Sequence, residues 1–292
     1  MSLPPLKIRS FAKINAALAV LGRRLDGYHA IQTVFQSVNL CDELEISDSN
    51  ELELICENLP EVKPEENLAW KAAALLSSAC GKKGASIRLK KQIPTGAGLG
   101  GGSANAGAAL LGLRRFWKLA ISDSELASIA GKLGSDVPFF IFGGAALGSG
   151  RGEIIEPLPD FPSRFLTIIF PGVHVSTAEA YRSLNLGLTS SKEDHRIQRF
   201  LGQEDADFLA WIFNDFEATI LAAYPQILEA KNFLSERKAT ATLLSGSGSS
   251  VFGFFSDEES SLAAARDVSR CDWQAFPAKT LSRAEYFTNM FG

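Results

Sequence analysis

The sequence predicts an α+β fold in two domains. Three observations carry this. Strand-like and helix-like segments alternate in both halves of the chain. Most strand-like segments are two-faced, with apolar and charged residues alternating, as in a half-exposed antiparallel strand rather than a buried parallel one. Pro157, Pro159 and Pro162 fall close together and mark a linker. The predicted domains are residues 1–160 and 161–292.

The elements follow in order. Lys7 to Gly22 reads as a strand, and Ile31 to Asn39 and Glu43 to Ser47 continue the pattern. Glu51 to Cys56 alternates acidic and aliphatic residues. Glu66 to Cys80 reads as an amphipathic helix and Ser86 to Gln92 as a strand. After a glycine-rich run comes an alanine- and leucine-rich helix, Ser103 to Leu119. A second helix spans Asp123 to Lys132, with Ser122 as N-cap and Glu125 at the capping-box position. Beyond the prolines, Phe165 to Phe170 is a buried-type strand. Helices are expected at Thr177 to Leu184, Phe208 to Ala223 and Gln226 to Arg237. Ala241 to Leu244 and Val251 to Phe255 are short strands around a second small-residue loop. A helix, Asp257 to Ser269, and a strand, Trp273 to Leu281, complete the pattern.

Composition narrows the function. The 292 residues carry a net charge of −4, so a general nucleic-acid binder is not expected. The most apolar stretch, Val137 to Leu147, is too short to span a bilayer, and no secretory signal opens the sequence. The cysteines and the three histidines are scattered, with no CxxC or HExxH. This fits a reducing cytosol and argues against a permanent transition-metal site or a disulfide scaffold.

The run Pro94-Thr95-Gly96-Ala97-Gly98-Leu99-Gly100-Gly101-Gly102-Ser103 is the strongest chemical signal. Glycine lets the backbone adopt positive φ and bring its N–H groups close to an anion. A helix start adds unpaired N–H donors and a positive dipole end, so the pair makes a phosphate cradle. A P-loop would need lysine where Gly102 stands. Gly96, Gly98 and Gly101 formally fit a dinucleotide fingerprint, and a nicotinamide-dependent oxidoreductase remains the reading that follows from it. The polar residues Arg88, Lys90, Lys91 and Gln92 before the loop disfavour it, because that fingerprint follows a buried apolar strand.

Elsewhere the residues leave alternatives open. Lys13 lies in an apolar strand-like run and is either a solvated edge residue or a cation facing a cleft. Asp136, before Val137-Pro138, is either a helix N-cap or a base that takes a hydroxyl proton. Tyr28 and His29 follow the turn signal Asp26-Gly27.

Pro94 to Ala104 closely resembles the PxxGxGLGGGSA loop of the GHMP kinases. Three more segments fall where that family has its motifs: Ala12-Lys13-Ile14-Asn15 with Asp26-Gly27-Tyr28-His29, Leu133-Gly134-Ser135-Asp136, and Leu244-Ser245-Gly246-Ser247-Gly248. Together they are similar to the diphosphocytidyl-methylerythritol kinase branch, with the Asp-Gly-Tyr-His run as the branch signal. Small departures occur at Ala104, Ser135 and Ser249.

The resemblance implies a ribosomal protein S5 domain 2-like N-terminal domain, a ferredoxin-like C-terminal domain and ATP with Mg²⁺. It implies a small-molecule acceptor, the cytidine diphosphate-linked methylerythritol. Lys13 and Asp136 would be the catalytic pair. Pro94 to Ala104 would hold the ATP phosphates, and Ser103 would help with Mg²⁺. Asn67 and Lys91 would lie near adenine. Asn15, Tyr28, His29, Tyr181, Gly246, Ser247 and Gly248 would meet the acceptor. A homoserine or mevalonate kinase is the alternative within the family, and a ligand sensor without turnover the alternative outside catalysis. A cytoplasmic monomer or weak homodimer is expected, with no nucleic-acid or membrane partner.

Overall fold

The computed structural model describes residues 4–57, 62–81, 84–184, 194–202, 208–268 and 272–292. In chain order the first half contains β1 (Leu6–Arg23), β2 (His29–Ser47), β3 (Leu52–Cys56), α1 (Leu68–Cys80), β4 (Ala85–Lys90), α2 (Gly101–Phe116), α3 (Asp123–Gly131), α4 (Phe139–Phe142), β5 (Ala145–Ser149) and β6 (Ile154–Pro157). The second contains β7 (Phe165–Phe170), α5 (Thr177–Ser183), α6 (His195–Leu201), β8 (Phe213–Asn214), α7 (Glu217–Ala223), α8 (Pro225–Glu236), β9 (Ala241–Leu244), β10 (Val251–Phe255), α9 (Glu258–Arg266), β11 (Gln274–Lys279) and α10 (Arg283–Met290).

Among the described residues a seven-stranded sheet runs β3-β4-β2-β1-β8, with β5 on β2 and β6 on β5. The long β1–β2 hairpin is its spine, and the pairing shifts register between Phe11 and Lys13 and again between Asn15 and Ala17. Bulges of this kind re-aim side chains, and these flank Lys13 and Asn15. The segment Ser10–Val20 is buried throughout, because both of its faces are covered. Helices α1 and α2 pack on the sheet, with Leu76, Leu110 and Leu113 in one core with Ile8, Leu44, Ile46 and Ile87, and α3 packs on α1 and α2 and adds Leu126 to that core.

A second, antiparallel sheet has the order β11-β7-β10-β9. Numbered by sequence this is 4-1-3-2, with helices between its first and second and its third and fourth strands, the split arrangement of a ferredoxin-like unit. Several elements of the second half reach the first, two of them by a paired strand and a buried helix. β8 pairs in parallel with β1, and α10 buries Tyr286 and Met290 in the first core.

The structure departs from the sequence expectations in places. Ile31 to Asn39 and Glu43 to Ser47 belong to one strand, β2. The single helix expected over Phe208 to Ala223 is a 3-10 turn, Phe208–Trp211, then β8, then α7. Asn214 is the reason. Its amide donates to the Leu244 and Gly246 carbonyls at 2.8 and 2.7 Å, and its Oδ1 accepts from Phe216 N at 2.9 Å. Those tertiary bonds outweigh local helix propensity. The helix expected to reach Ser269 ends at Arg266, and Ser269 lies outside the described residues. The capping box at Ser122 and Glu125 forms as expected.

Candidate active site

The cleft between the two sheets has a volume of about 1030 Å³ and is lined from both halves. Its floor is β1. Lys13 is 3% exposed, which excludes the solvated-edge reading. Its ammonium donates to Asn15 Oδ1 at 2.6 Å and lies 3.4 Å from Asp136 Oδ2. Asn15 donates to Thr33 Oγ1 at 2.7 Å, and Thr33 donates to the Ala17 carbonyl at 2.8 Å. This relay fixes the Asn15 amide so that its oxygen faces the lysine. Asp136 sits in the turn before α4, with its side chain 34% exposed to the cleft. It is not the helix cap, because α4 starts from Pro138 with no side-chain cap bond. A buried ammonium against a solvent-accessible carboxylate can orient and deprotonate a hydroxyl while neutralising developing negative charge.

The glycine loop forms the next wall. Gly96, Gly98 and Gly100 face the cleft, while Ala97 and Leu99 between them are buried among Ile14, Ile93 and Phe252. The alternation anchors the loop by its side chains and turns bare backbone toward the cleft. Gly98 has φ of +79°, and a Cβ there would lie 2.1 Å from the Ser245 carbonyl oxygen. Only glycine fits. Gly100, in the left-handed region at φ +69°, opens α2 without a side-chain cap, so the helix's first N–H groups have no side-chain acceptor. Gly102 is exposed, Thr95 is exposed and Ser103 is half-buried, while Gly101 and Ala104 pack inward.

The second small-residue loop backs this wall. Ser245 Oγ donates to the Gly98 carbonyl at 3.0 Å, and Ser250 N donates to the Ala97 carbonyl at 3.0 Å. Gly246, Ser247 and Gly248 line the cleft, and Ser247 Oγ lies 3.0 Å from Thr177 Oγ1.

At the far end of the cleft, His29 stacks on Tyr181, with ring centroids 4.6 Å apart and planes 14° from parallel. Tyr181 also packs edge-on against Phe216. Burial, with the Arg23 charge, holds the His29 imidazole below its ordinary pKa, so it is neutral at pH 7. Burial, with the Asp136 charge, pushes the Tyr181 phenol above its usual range. Tyr28 is 57% exposed, and the Arg151 guanidinium lies 4.8 Å from its ring centre.

Two residues expected near the nucleotide base lie outside this cleft. Lys91 is buried under the loop, ion-paired to Asp42 and donating to Asn105 Oδ1 at 2.9 Å. Asn67 caps α1, accepting from Ala69 N at 2.9 Å. The cleft also gathers residues that the sequence reading missed, among them Arg23, Arg151, His174, Thr177 and Phe216. His174 rests against Gly96, where a Cβ would lie 2.5 Å from its ring. Arg151 carried the one local sign among these, standing between two glycines, Gly150 and Gly152.

Comparison with known proteins agrees with this geometry. Residues 67–144 match the GHMP kinases N terminal domain, and residues 200–272 match the GHMP kinases C terminal. A 4-diphosphocytidyl-2-C-methyl-D-erythritol kinase of Pelobacter propionicus is 42% identical over 94% of this chain and 99% of its own length. One from Pelotomaculum thermopropionicum is 42% identical over 93% of this chain and 96% of its own. A crystal structure of 4-(cytidine 5'-diphospho)-2C-methyl-D-erythritol kinase superposes with a TM-score of 0.78 at 31% identity, covering 94% of this chain and 99% of that one. A homoserine kinase from Cytophaga hutchinsonii shares the fold, with a TM-score of 0.70 at 18% identity over 95% of each chain. With a phosphate-type glycine loop, a lysine–aspartate pair and relatives that span nearly its whole length, this chain belongs to the GHMP kinases.

Proposed function

We propose that this kinase transfers the terminal phosphate of ATP to the 2-hydroxyl of 4-diphosphocytidyl-2-C-methyl-D-erythritol. The observation that carries the reading is the layout of one cleft. A glycine loop and helix start lie at one side, the Lys13–Asp136 pair 3.4 Å apart in the middle, and the aromatic pair His29 and Tyr181 at the other end. That order suits a nucleotide donor, a reacting hydroxyl and a base-bearing acceptor. The relatives' names supply the same substrate.

In this reading the N–H groups of Gly98 to Ser103 hold the donor phosphates. Asp136 takes the proton of the 2-hydroxyl, whose oxygen attacks the terminal phosphorus as ADP leaves. Lys13, fixed by Asn15, neutralises the charge that builds between the two reactants. Tyr28 offers an exposed ring face to the cytosine, and neutral His29 can accept or donate one hydrogen bond to it.

Among the described residues no group of three or more His, Cys, Asp and Glu could cage a metal. The donors present, the Ser103 hydroxyl and the Asp136 carboxylate, fit Mg²⁺ carried in on phosphate oxygens, where it would neutralise charge. No helix among the described residues is long and apolar enough to cross a membrane. The same reading makes the enzyme a cytoplasmic monomer or weak homodimer with a domain boundary near residue 160.

A coupled ADP-release assay with a panel of acceptors tests the proposal. Turnover is expected with the cytidylated diol and ATP. Turnover with homoserine or mevalonate instead would overturn the assignment.

A further inference from the structure

We infer that Arg151 is the residue that reads the acceptor's diphosphate, and so sets the preference for a nucleoside diphosphate over a bare nucleoside. The inference deepens the function proposed above and rests on it.

A base at one end of the acceptor and a reacting hydroxyl at the other are joined through two phosphates. The protein groups assigned to those ends are Tyr28 and Asp136. The turn Ser149–Ile154, between β5 and β6, bridges them. Its Arg151 guanidinium stacks 4.8 Å from the Tyr28 ring centre. Its Gly152, at φ +107°, would point a Cβ to within 3.4 Å of Ile31 Cδ1 and 3.8 Å of Asp136 Oδ1. One short turn therefore stacks on the base end through Arg151 and runs beside the hydroxyl end at the next residue. An acceptor that spans those ends carries its two phosphates between its ribose and its polyol, in the stretch that this turn borders.

The guanidinium is also held ready. Glu153 accepts from Arg151 N at 2.5 Å and lies 3.3 Å from Nε. That carboxylate fixes the base of the fork and leaves the two terminal nitrogens directed elsewhere. Arg151 is 32% exposed and lines the cleft, so the fork remains reachable. A planar fork binds phosphate oxygens in pairs, and stacking on an aromatic ring does not use its N–H donors. The cleft has the field for this ligand. Among the described residues that line it, Lys13, Arg23, Arg151 and Arg182 stand against one carboxylate, Asp136, with Glu153 behind Arg151, in a chain of net charge −4.

The test compares binding of cytidine and cytidine 5'-diphosphate to the full-length enzyme by calorimetry, for the wild type, Arg151→Ala and Arg151→Lys. Arg151→Ala is expected to weaken the diphosphate about 10- to 100-fold, from loss of a charge-assisted contact, and to leave cytidine within about twofold. Arg151→Lys should recover part of the loss, since it keeps the charge without the fork. With the phosphorylatable acceptor, KM should rise while the KM for ATP stays near the wild-type value, which also shows that the variant is folded. Equal weakening of cytidine and its diphosphate would overturn the inference, leaving Arg151 only as a support for Tyr28. So would undiminished diphosphate binding in Arg151→Ala. A wild-type enzyme that binds neither ligand would instead sink the cytidylated acceptor, a different failure.

Discussion

Asp42 and Lys91 form an ion pair buried beneath the phosphate loop, with side-chain exposures of 0% and 9%. Asp42 does more than neutralise the lysine. Its Oδ1 accepts from the backbone N–H groups of Gln92 and Ile93 at 2.6 and 2.8 Å, and its Oδ2 from Asn105 at 2.8 Å. One carboxylate thus ties β2 to the root of the glycine loop and to α2. Removing one partner of a buried pair leaves an uncompensated charge, which costs about 3–5 kcal/mol. Asp42→Ala should lower the unfolding free energy by that amount in urea titrations. A loss below about 1 kcal/mol would mean that water replaces the pair.

Asp136→Asn keeps the shape of the side chain and removes its capacity to take a proton. We expect kcat to fall about 10²- to 10⁴-fold, with the KM for ATP near wild type. Steady-state ADP release measures both. An Asp136→Asn enzyme with wild-type kcat would remove the carboxylate from proton transfer.

Gly98→Ala places a methyl group 2.1 Å from the Ser245 carbonyl oxygen, at a φ of +79° that side chains rarely adopt. The loop must shift, and strain of this kind is worth about 1–3 kcal/mol. The expected result is a rise of about tenfold or more in the KM for ATP. Gly102→Ala gives the comparison. There the nearest contact is an ordinary 3.5 Å to Leu68 Cδ1, so the milder loss belongs to that variant.

The stacked His29 predicts a pH effect. Its folded pKa lies below the ordinary 6.5 because burial and Arg23 disfavour the charged form. The unfolded chain therefore binds the proton more readily between the two values. His29's contribution to stability is complete above pH 6.5 and is lost as the pH falls through that window. The wild type should lose stability relative to His29→Gln on acidification from pH 7 to pH 5, as read by chemical denaturation at each pH. Parallel curves would show that the imidazole titrates freely.

The chemistry legible in the sequence was the chemistry written in one segment. The glycine spacing from Gly96 to Gly102 could be read as a phosphate loop because one strand-to-helix turn contains all the donors. Lys13 and Asp136 stood out only by resemblance. Locally each had an ordinary alternative, and the 3.4 Å between them comes from a hairpin bulge meeting a turn over a hundred residues away. His174 was not legible, since its meaning depends on the glycine it faces, and Arg151 offered only its two flanking glycines as a local sign. The break at Asn214 was hidden for the same reason. Its partners, Leu244 and Gly246, lie 30 and 32 residues further on. The partners of Lys91 were hidden in the same way, since Asp42 and Asn105 lie 49 and 14 residues away in sequence.

The return of α10 to the first sheet has a consequence for biosynthesis. Tyr286 is fully buried, its hydroxyl donates to the Phe140 carbonyl at 2.8 Å, and its ring fills the space at Gly143. Phe140 in turn packs over Gly107 and reaches Gly100 in the phosphate loop. The half of the protein that emerges first from the ribosome therefore lacks part of its interior until residue 286 has been translated. Through Tyr286, the packing of the phosphate loop waits on a helix that follows the whole second sheet in the chain.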